Sequence, residues 1–128
     1  MGLNPQSFMV LTLLTAASRT ASVDGTGVDL LQYVGTGNIN LKAVMDVGTV
    51  TGTNPTWDAK IQESDSPGSG YTDITGAAFT QVTATGTGAV ELHFRTVKRY
   101  VRVSTTIGGT GTPTFPCAIL LVVPERYT

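Results

Sequence analysis

Between Trp57 and Val103 strand signals alternate with turn signals, which leaves this chain little room for anything but a β fold. Trp57, Ala59 and Ile61 fall on one side of an extended backbone and Asp58, Lys60 and Gln62 on the other, the period of two that marks a half-buried strand. Asp65-Ser-Pro-Gly-Ser-Gly70 then supplies the backbone freedom for a reversal, and Tyr71-Thr-Asp-Ile74 resumes the extended pattern. This unit is a predicted β-hairpin.

The rest of the chain repeats its style. Strands are predicted from Phe8 to Thr15, Val28 to Val34, Ile39 to Val47, Thr56 to Ser64, Tyr71 to Ile74, Ala78 to Thr83, Ala89 to Arg95, Lys98 to Thr105 and Phe115 to Val123. No stretch long enough for a helix sustains a 3.6-residue period. Turns fall at Gly35-Thr-Gly37-Asn38, Gly48 to Pro55, Gly86-Thr-Gly88 and Gly108-Gly-Thr-Gly111, where Gly or Asn tolerates positive φ. The link from Arg95 to Lys98 lacks Gly and fits either a tight turn or a bulged corner where a strand changes sheets. The expected architecture is all-β: one antiparallel β-sandwich domain over residues 1–128, of jelly-roll or Greek-key type, with residues 1–7 a candidate extended arm.

Composition narrows the function. With 41% hydrophobic residues the chain can fill one two-layer core, and with 13% charged residues and a net charge of -1 it lacks the cationic excess that phosphate binding demands. No nucleic acid partner is expected. So little charge also gives weak protection against association, which favours an oligomer or larger assembly. The single Cys117 excludes an intrachain disulfide. The apolar run Phe8-Met-Val-Leu-Thr-Leu-Leu14 is too short to span a bilayer and has no cationic segment before Arg19, so a buried strand is expected there rather than an export signal. A myristoylation pattern fails because Gln6 stands where Ser or Thr is needed. No membrane partner is expected.

Residues that could carry chemistry are sparse. His93 shares its side of a strand with Ala89, Glu91 and Arg95, opposite Val90, Leu92 and Phe94, which makes it an exposed residue with no nucleophile and orienting carboxylate placed around it. Cys117 lies in the most apolar strand, where a thiol is shielded and inert. One Cys and one His do not build a zinc site, Asp65 and Asp73 miss the spacing of a calcium loop, and the Gly-Thr-Gly triplets open no helix that could hold a phosphate. The expectation is a protein without catalytic residues, metal or cofactor.

Two surface features stand out. Arg95, Lys98, Arg99 and Arg102 make a basic cluster in which Lys98, Tyr100 and Arg102 share one face; the alternatives are a solvated face paired with Glu91, Asp58 or Glu63, or a site for RNA or for an acidic protein surface, the protein surface coming before RNA. From Phe115 to Val123 no polar face exists, because Cys117, Ile119, Leu121 and Val123 alternate with Ala118, Leu120 and Val122. The second apolar side needs cover from a loop, from the Phe8 to Leu14 run, or from another subunit. The candidate interface residues are therefore Phe8, Val10, Lys98, Tyr100, Arg102, Ala118, Leu120 and Val122.

The stretches Asp58-Ala-Lys-Ile-Gln-Glu-Ser64, Tyr71-Thr-Asp-Ile-Thr-Gly-Ala77, Phe79-Thr-Gln-Val82 and Lys98-Arg-Tyr-Val-Arg-Val103, with Val28-Asp-Leu-Leu-Gln-Tyr33 and Asn40-Leu upstream, resemble tailed-bacteriophage capsid decoration, or cement, proteins. That resemblance implies a non-enzymatic β-sandwich, associated as a homotrimer, seated on the outer surface of a head built from the phage major capsid protein. On this reading the loops from Val50 to Pro55 and Gly108 to Pro113, and the residues before Phe8, contact the capsid. Other readings are a head-tail connector or tail component, and a carbohydrate-binding module, for which Trp57, Tyr33, Tyr71, Tyr100 and Tyr127 are the available aromatics.

Overall fold

The alternation of β-branched and polar residues folds as the sequence requires. In the computed structural model, which describes residues 8–31, 39–83 and 88–124, the named elements are all strands: β1 Phe8–Arg19, β2 Val28–Asp29, β3 Ile39–Val47, β4 Thr51–Ser64, β5 Thr72–Ala78, β6 Gly88–Thr96 and β7 Tyr100–Pro124. The candidate arm 1–7, the turn at 35–38, residues 86 and 87 of the third turn, and the second half of the strand expected from Val28 lie outside the described residues.

The largest departure from expectation is β7. Two strands separated by a Gly-rich loop are one strand of 25 residues. Its two ends serve different halves of one antiparallel sheet. Val101 and Tyr100 pair with β2, and Tyr100 to Thr114 pair with β4, which carries β5 on its far side. Phe115 to Pro124 pair with β1, and Cys117 to Val122 also with β3, which carries β6. The sheet is therefore two leaves, β1-β7-β3-β6 and β2-β7-β4-β5, joined through β7. The chain crosses between leaves at every step from β1 to β4 and again from β5 to β6, while β4 and β5 form a hairpin within one leaf.

β3 and β4 together track the whole length of β7. Their pairing runs from Lys42↔Val122 to Val47↔Cys117, crosses the gap through the Gly48 N–H to Pro116 carbonyl bond of 2.8 Å, and continues from Thr51↔Thr114 to Ser64↔Tyr100. The segments read as loops, Val50 to Pro55 and Gly108 to Pro113, face each other in this ribbon instead of projecting as free loops: Thr53 pairs with Thr110 and Thr56 with Gly108. Two register shifts bend the ribbon there. Positive φ at Gly52 (111°), Asn54 (48°), Gly109 (112°), Gly111 (69°) and Thr112 (54°) supplies the bend; Gly and Asn adopt it cheaply, whereas β-branched Thr112 does not.

The link after Arg95 is the sheet-changing corner. β6 lies in one leaf and β7 begins in the other, and buried Thr96 fixes the step. Its hydroxyl donates to Glu63 Oε1 (2.7 Å) and accepts the Lys98 N–H (3.2 Å), while the Val97 N–H donates to the same carboxylate (3.2 Å). The expected strand from Ala78 to Thr83 shrinks to the Phe79 N–H bond to the Ala59 carbonyl and a bridge between Val82 and Trp57.

Inward positions of the two leaves meet in a single core. Trp57, Ala59, Ile61, Val101 and Val103 face Leu41, Ala43, Met45, Phe115, Cys117, Ile119 and Leu121, all buried. Trp57 sits at its centre, fully buried and stacked on Phe115 with ring centroids 5.6 Å apart, and its Nε1–H donates to Met45 Sδ at 3.2 Å. That bond satisfies a polar handle the core would otherwise strand. Phe115→Ala is expected to cost about 3–5 kcal/mol. Because Trp57 is the one Trp in the chain, denaturant titration followed by its emission reads the loss directly. Gly109→Ala, whose new Cβ would lie 2.7 Å from the Asn54 carbonyl oxygen at a φ of 112°, should cost about 1–3 kcal/mol in the same assay.

Candidate interaction surface

Strand parity gives each leaf an outer face, and the two faces differ in kind. On β7, Ala118, Leu120 and Val122 point outward. In register beside them lie Val10 and Thr12 of β1 and Lys42, Val44 and Asp46 of β3, with Ala89, Glu91 and His93 of β6 beyond. Three rows cross this leaf: Val10-Val122-Lys42-His93, Thr12-Leu120-Val44-Glu91, and Ala118-Asp46-Ala89. Its β1-β7 side is apolar, with Val10 57% and Leu120 37% exposed. The β1 run does not cover this face, because it pairs edge to edge with β7 in the same leaf. Lys42 lies 3.7 Å from Glu91, and Glu91 lies 3.4 Å from His93, which is largely exposed as its strand position required.

The outer face of the second leaf is polar and internally neutralised. Arg102 stacks over the Tyr71 ring at 4.2 Å, its Nε donates to Gln62 (2.9 Å), and its guanidinium lies 3.6 Å from Asp24. Gln62 and Lys60 both donate to Asp73, at 2.8 and 2.9 Å. Lys98 pairs with Asp65 (3.0 Å), and Arg99 grips Asp29 through two bonds of 2.9 and 2.8 Å. The basic cluster is thus paired, but with Asp65, Asp29 and Asp24 in place of the expected Glu91, Asp58 and Glu63. Arg95 donates instead to Asn40 (3.1 Å), Asp58 accepts from Gln81, and Glu63 serves the corner.

The eight candidate interface residues therefore divide. Val10, Ala118, Leu120 and Val122 come together on the first leaf; Lys98, Tyr100 and Arg102 lie on the second, already engaged; Phe8 opens β1 opposite Pro124. Sequence reasoning missed Thr12, Lys42, Val44 and Asp46. The alternation of Leu41, Ala43, Met45 and Val47 with Asn40, Lys42, Val44 and Asp46 carries the signal for β3, but its place next to Leu120 comes from pairing between distant strands.

Among the recesses lined by described residues are two of some volume. One of about 360 Å³ lies beside β1, lined by Thr12, Thr15, Arg19 and Asp24 among others; another of about 250 Å³ lies between Lys60, Phe79 and Thr106. Ser104, at the second, donates its hydroxyl to Asp24 Oδ1, at the first, across 2.7 Å. Among the described residues no three His, Cys, Asp or Glu side chains gather to hold a metal. Cys117 is buried, and burial pushes its thiol pKa up against a smaller opposing effect of Arg19.

No family model and no curated protein matches this chain. Among solved structures it is similar in fold to the SPBc2 prophage-derived protein YomS, with a TM-score of 0.56 and 12% identity over 98% of this chain and 99% of that one. It is also similar to a chain in the structure of infectious bursal disease virus Gx strain, with a TM-score of 0.52 and 11% identity over 98% of this chain and 36% of that one. At such identity the likeness establishes the fold.

The paired surface predicts an acid-sensitive contribution to stability. Hydrogen bonds from Arg99 first, and from the Leu31 N–H next, hold the Asp29 carboxyl below its ordinary pKa. A depressed carboxyl stabilises the fold above its unfolded value of about 3.9 and loses that contribution as pH falls through the lower folded value. Asp29→Asn should therefore melt below the parent near neutral pH by a small margin, since exposed pairs are solvent-screened, and the gap should close below about pH 4. A gap independent of pH in thermal melts would contradict the linkage.

Proposed function

We propose that this chain is a non-enzymatic structural protein of a phage particle, and specifically a decoration protein that binds the outer surface of the head and stabilises its expanded form. The observation that carries this reading is end-to-end sharing of the fold with a prophage-derived protein, and the exposed apolar side of the first leaf, with Val10 and Leu120, supports it. The fold's recurrence within a longer chain of a virus structure supports the same direction. A carbohydrate-binding role has less support: Trp57 is wholly buried, and Tyr71 and Tyr100 each carry an arginine over the ring.

The mechanism needs no bond made or broken. A protein that binds the expanded lattice and not its precursor stabilises the former by mass action, and an interface of about 800 Å² per partner repeated over many sites supplies the energy. The bent ribbon is the assigned contact element. Residues 51–54 and 109–112 are exposed, carry no charge, and are held in fixed shape by pairing and backbone bends. A rigid recognition element loses little entropy on docking.

The test is co-sedimentation with expanded and with unexpanded heads. Binding to expanded heads, lost in a folded Thr53→Arg/Thr110→Arg variant, is the expected result. Recovery with tails alone, or with neither form of head, would reject decoration.

A further inference from the structure

We propose that the outer face of the β1-β7-β3-β6 leaf is covered by a second copy of this chain, related to the first by a two-fold axis. This inference stands independently of the capsid reading, and it differs from the threefold association that the family resemblance implies. It rests on a self-complementarity in the register of the outer face. Val44 and Leu120 are cross-strand partners; two residues away on one side lie Lys42 and Val122, and two residues away on the other lie Asp46 and Ala118. A two-fold axis lying in the interface and crossing the strands at the Val44-Leu120 row reverses position along each strand while keeping each strand over its counterpart. Lys42 then faces the second copy's Asp46, Val122 faces Ala118, and Val44 and Leu120 face themselves.

Each of these matches is favourable. Lys42 against Asp46 pairs opposite charges twice, once at each end of the interface, and Val122 against Ala118 sets a large side chain over a small one. Leu120 and Val10, exposed here, leave water. Two sheets packed with their strands nearly aligned, about 10 Å apart, is the usual geometry of a β-sandwich interior. Glu91 meets its counterpart at the rim, where its own Lys42 and His93 flank it. On the second leaf Arg102, Arg99 and Lys98 pair with Asp24, Asp29 and Asp65 of the same chain; on this leaf Lys42 stands 3.7 Å from its own Glu91, and the dimer gives it a second carboxylate in Asp46.

Charge reversal tests the register. Lys42→Asp would set two carboxylates face to face, Asp46→Lys two ammonium groups, and the double variant Lys42→Asp/Asp46→Lys would restore both pairs in mirror order. Sedimentation equilibrium across protein concentration should find a dimer in the parent. Each single variant should weaken it at least about tenfold, and the double variant should return to near the parent value. Circular dichroism melts establish that all four are folded. A monomer at every concentration, a trimer, or a dimer indifferent to the three variants would overturn the proposal. So would a monomer whose binding to heads falls equally in both singles and the double, since that face would then belong to the capsid.

Discussion

The structure depends on the uninterrupted parity of β7. Because successive side chains in a strand point to opposite faces, a strand shared by two leaves can feed one core only if its inward set stays in phase from end to end. It does: Val101, Val103 and Thr105 are buried in one leaf, and Phe115, Cys117, Ile119, Leu121 and Val123 in the other, all at odd positions. The bend between them disturbs the pairing register without shifting that phase. Along the opposing chain, Leu41, Ala43, Met45 and Val47 precede Trp57, Ala59 and Ile61, again all odd. Both rails of the ribbon are bent with their faces conserved, and Trp57 stacks on Phe115 across the resulting fold.

The bend concentrates its conformational cost in a few residues. Gly52, Gly109 and Gly111 occupy backbone states that an ordinary side chain resists, and for Gly52 and Gly109 an added Cβ would press on backbone atoms closer than 3.0 Å. Thr112 is the costly member, a β-branched residue in the left-handed region. Residues held this way keep their shape only when their surroundings over-determine it. Here those surroundings are the ladders on either side of the bend. The result is an exposed segment with a defined form, the property that suits it to contact another surface.

Neutralisation separates the two outer faces. The second leaf closes its charges within the chain, through Arg102-Gln62-Asp73-Lys60 and the Arg99-Asp29 and Lys98-Asp65 pairs. Exposed pairs of this kind contribute little stability, but they leave a hydrated surface with no strong field to recruit a partner. The first leaf keeps its apolar side exposed and places Lys42 and Asp46 symmetrically about Val44. The exposed apolar side of that leaf and the uncharged bent ribbon are the surfaces on which the two proposals rest.

Alternation alone made the strand class, the hairpin at Asp65 to Gly70, the inward Trp57, the outward His93 and the buried Cys117 legible, because each follows from local chain geometry. The bounds of β3 were legible to the residue. Four things were not. Gly108 to Pro113 has the composition of a loop, since Gly and Pro mark loops when nothing opposes them; pairing with Thr51 to Thr56 makes it strand. The corner at Val97 was fixed by Glu63, a residue more than thirty positions away. The partners of the basic cluster came from the segments that lay beside it, Asp24, Asp29 and Asp65, instead of from the expected Glu91, Asp58 and Glu63. The cover of the Ala118 to Val122 face likewise depended on whether β1 lay over β7 or beside it. Local stereochemistry decides which way a side chain points, so the sequence by itself determined faces; which faces become neighbours depends on closing long loops against one another, and that was decided only in the tertiary structure.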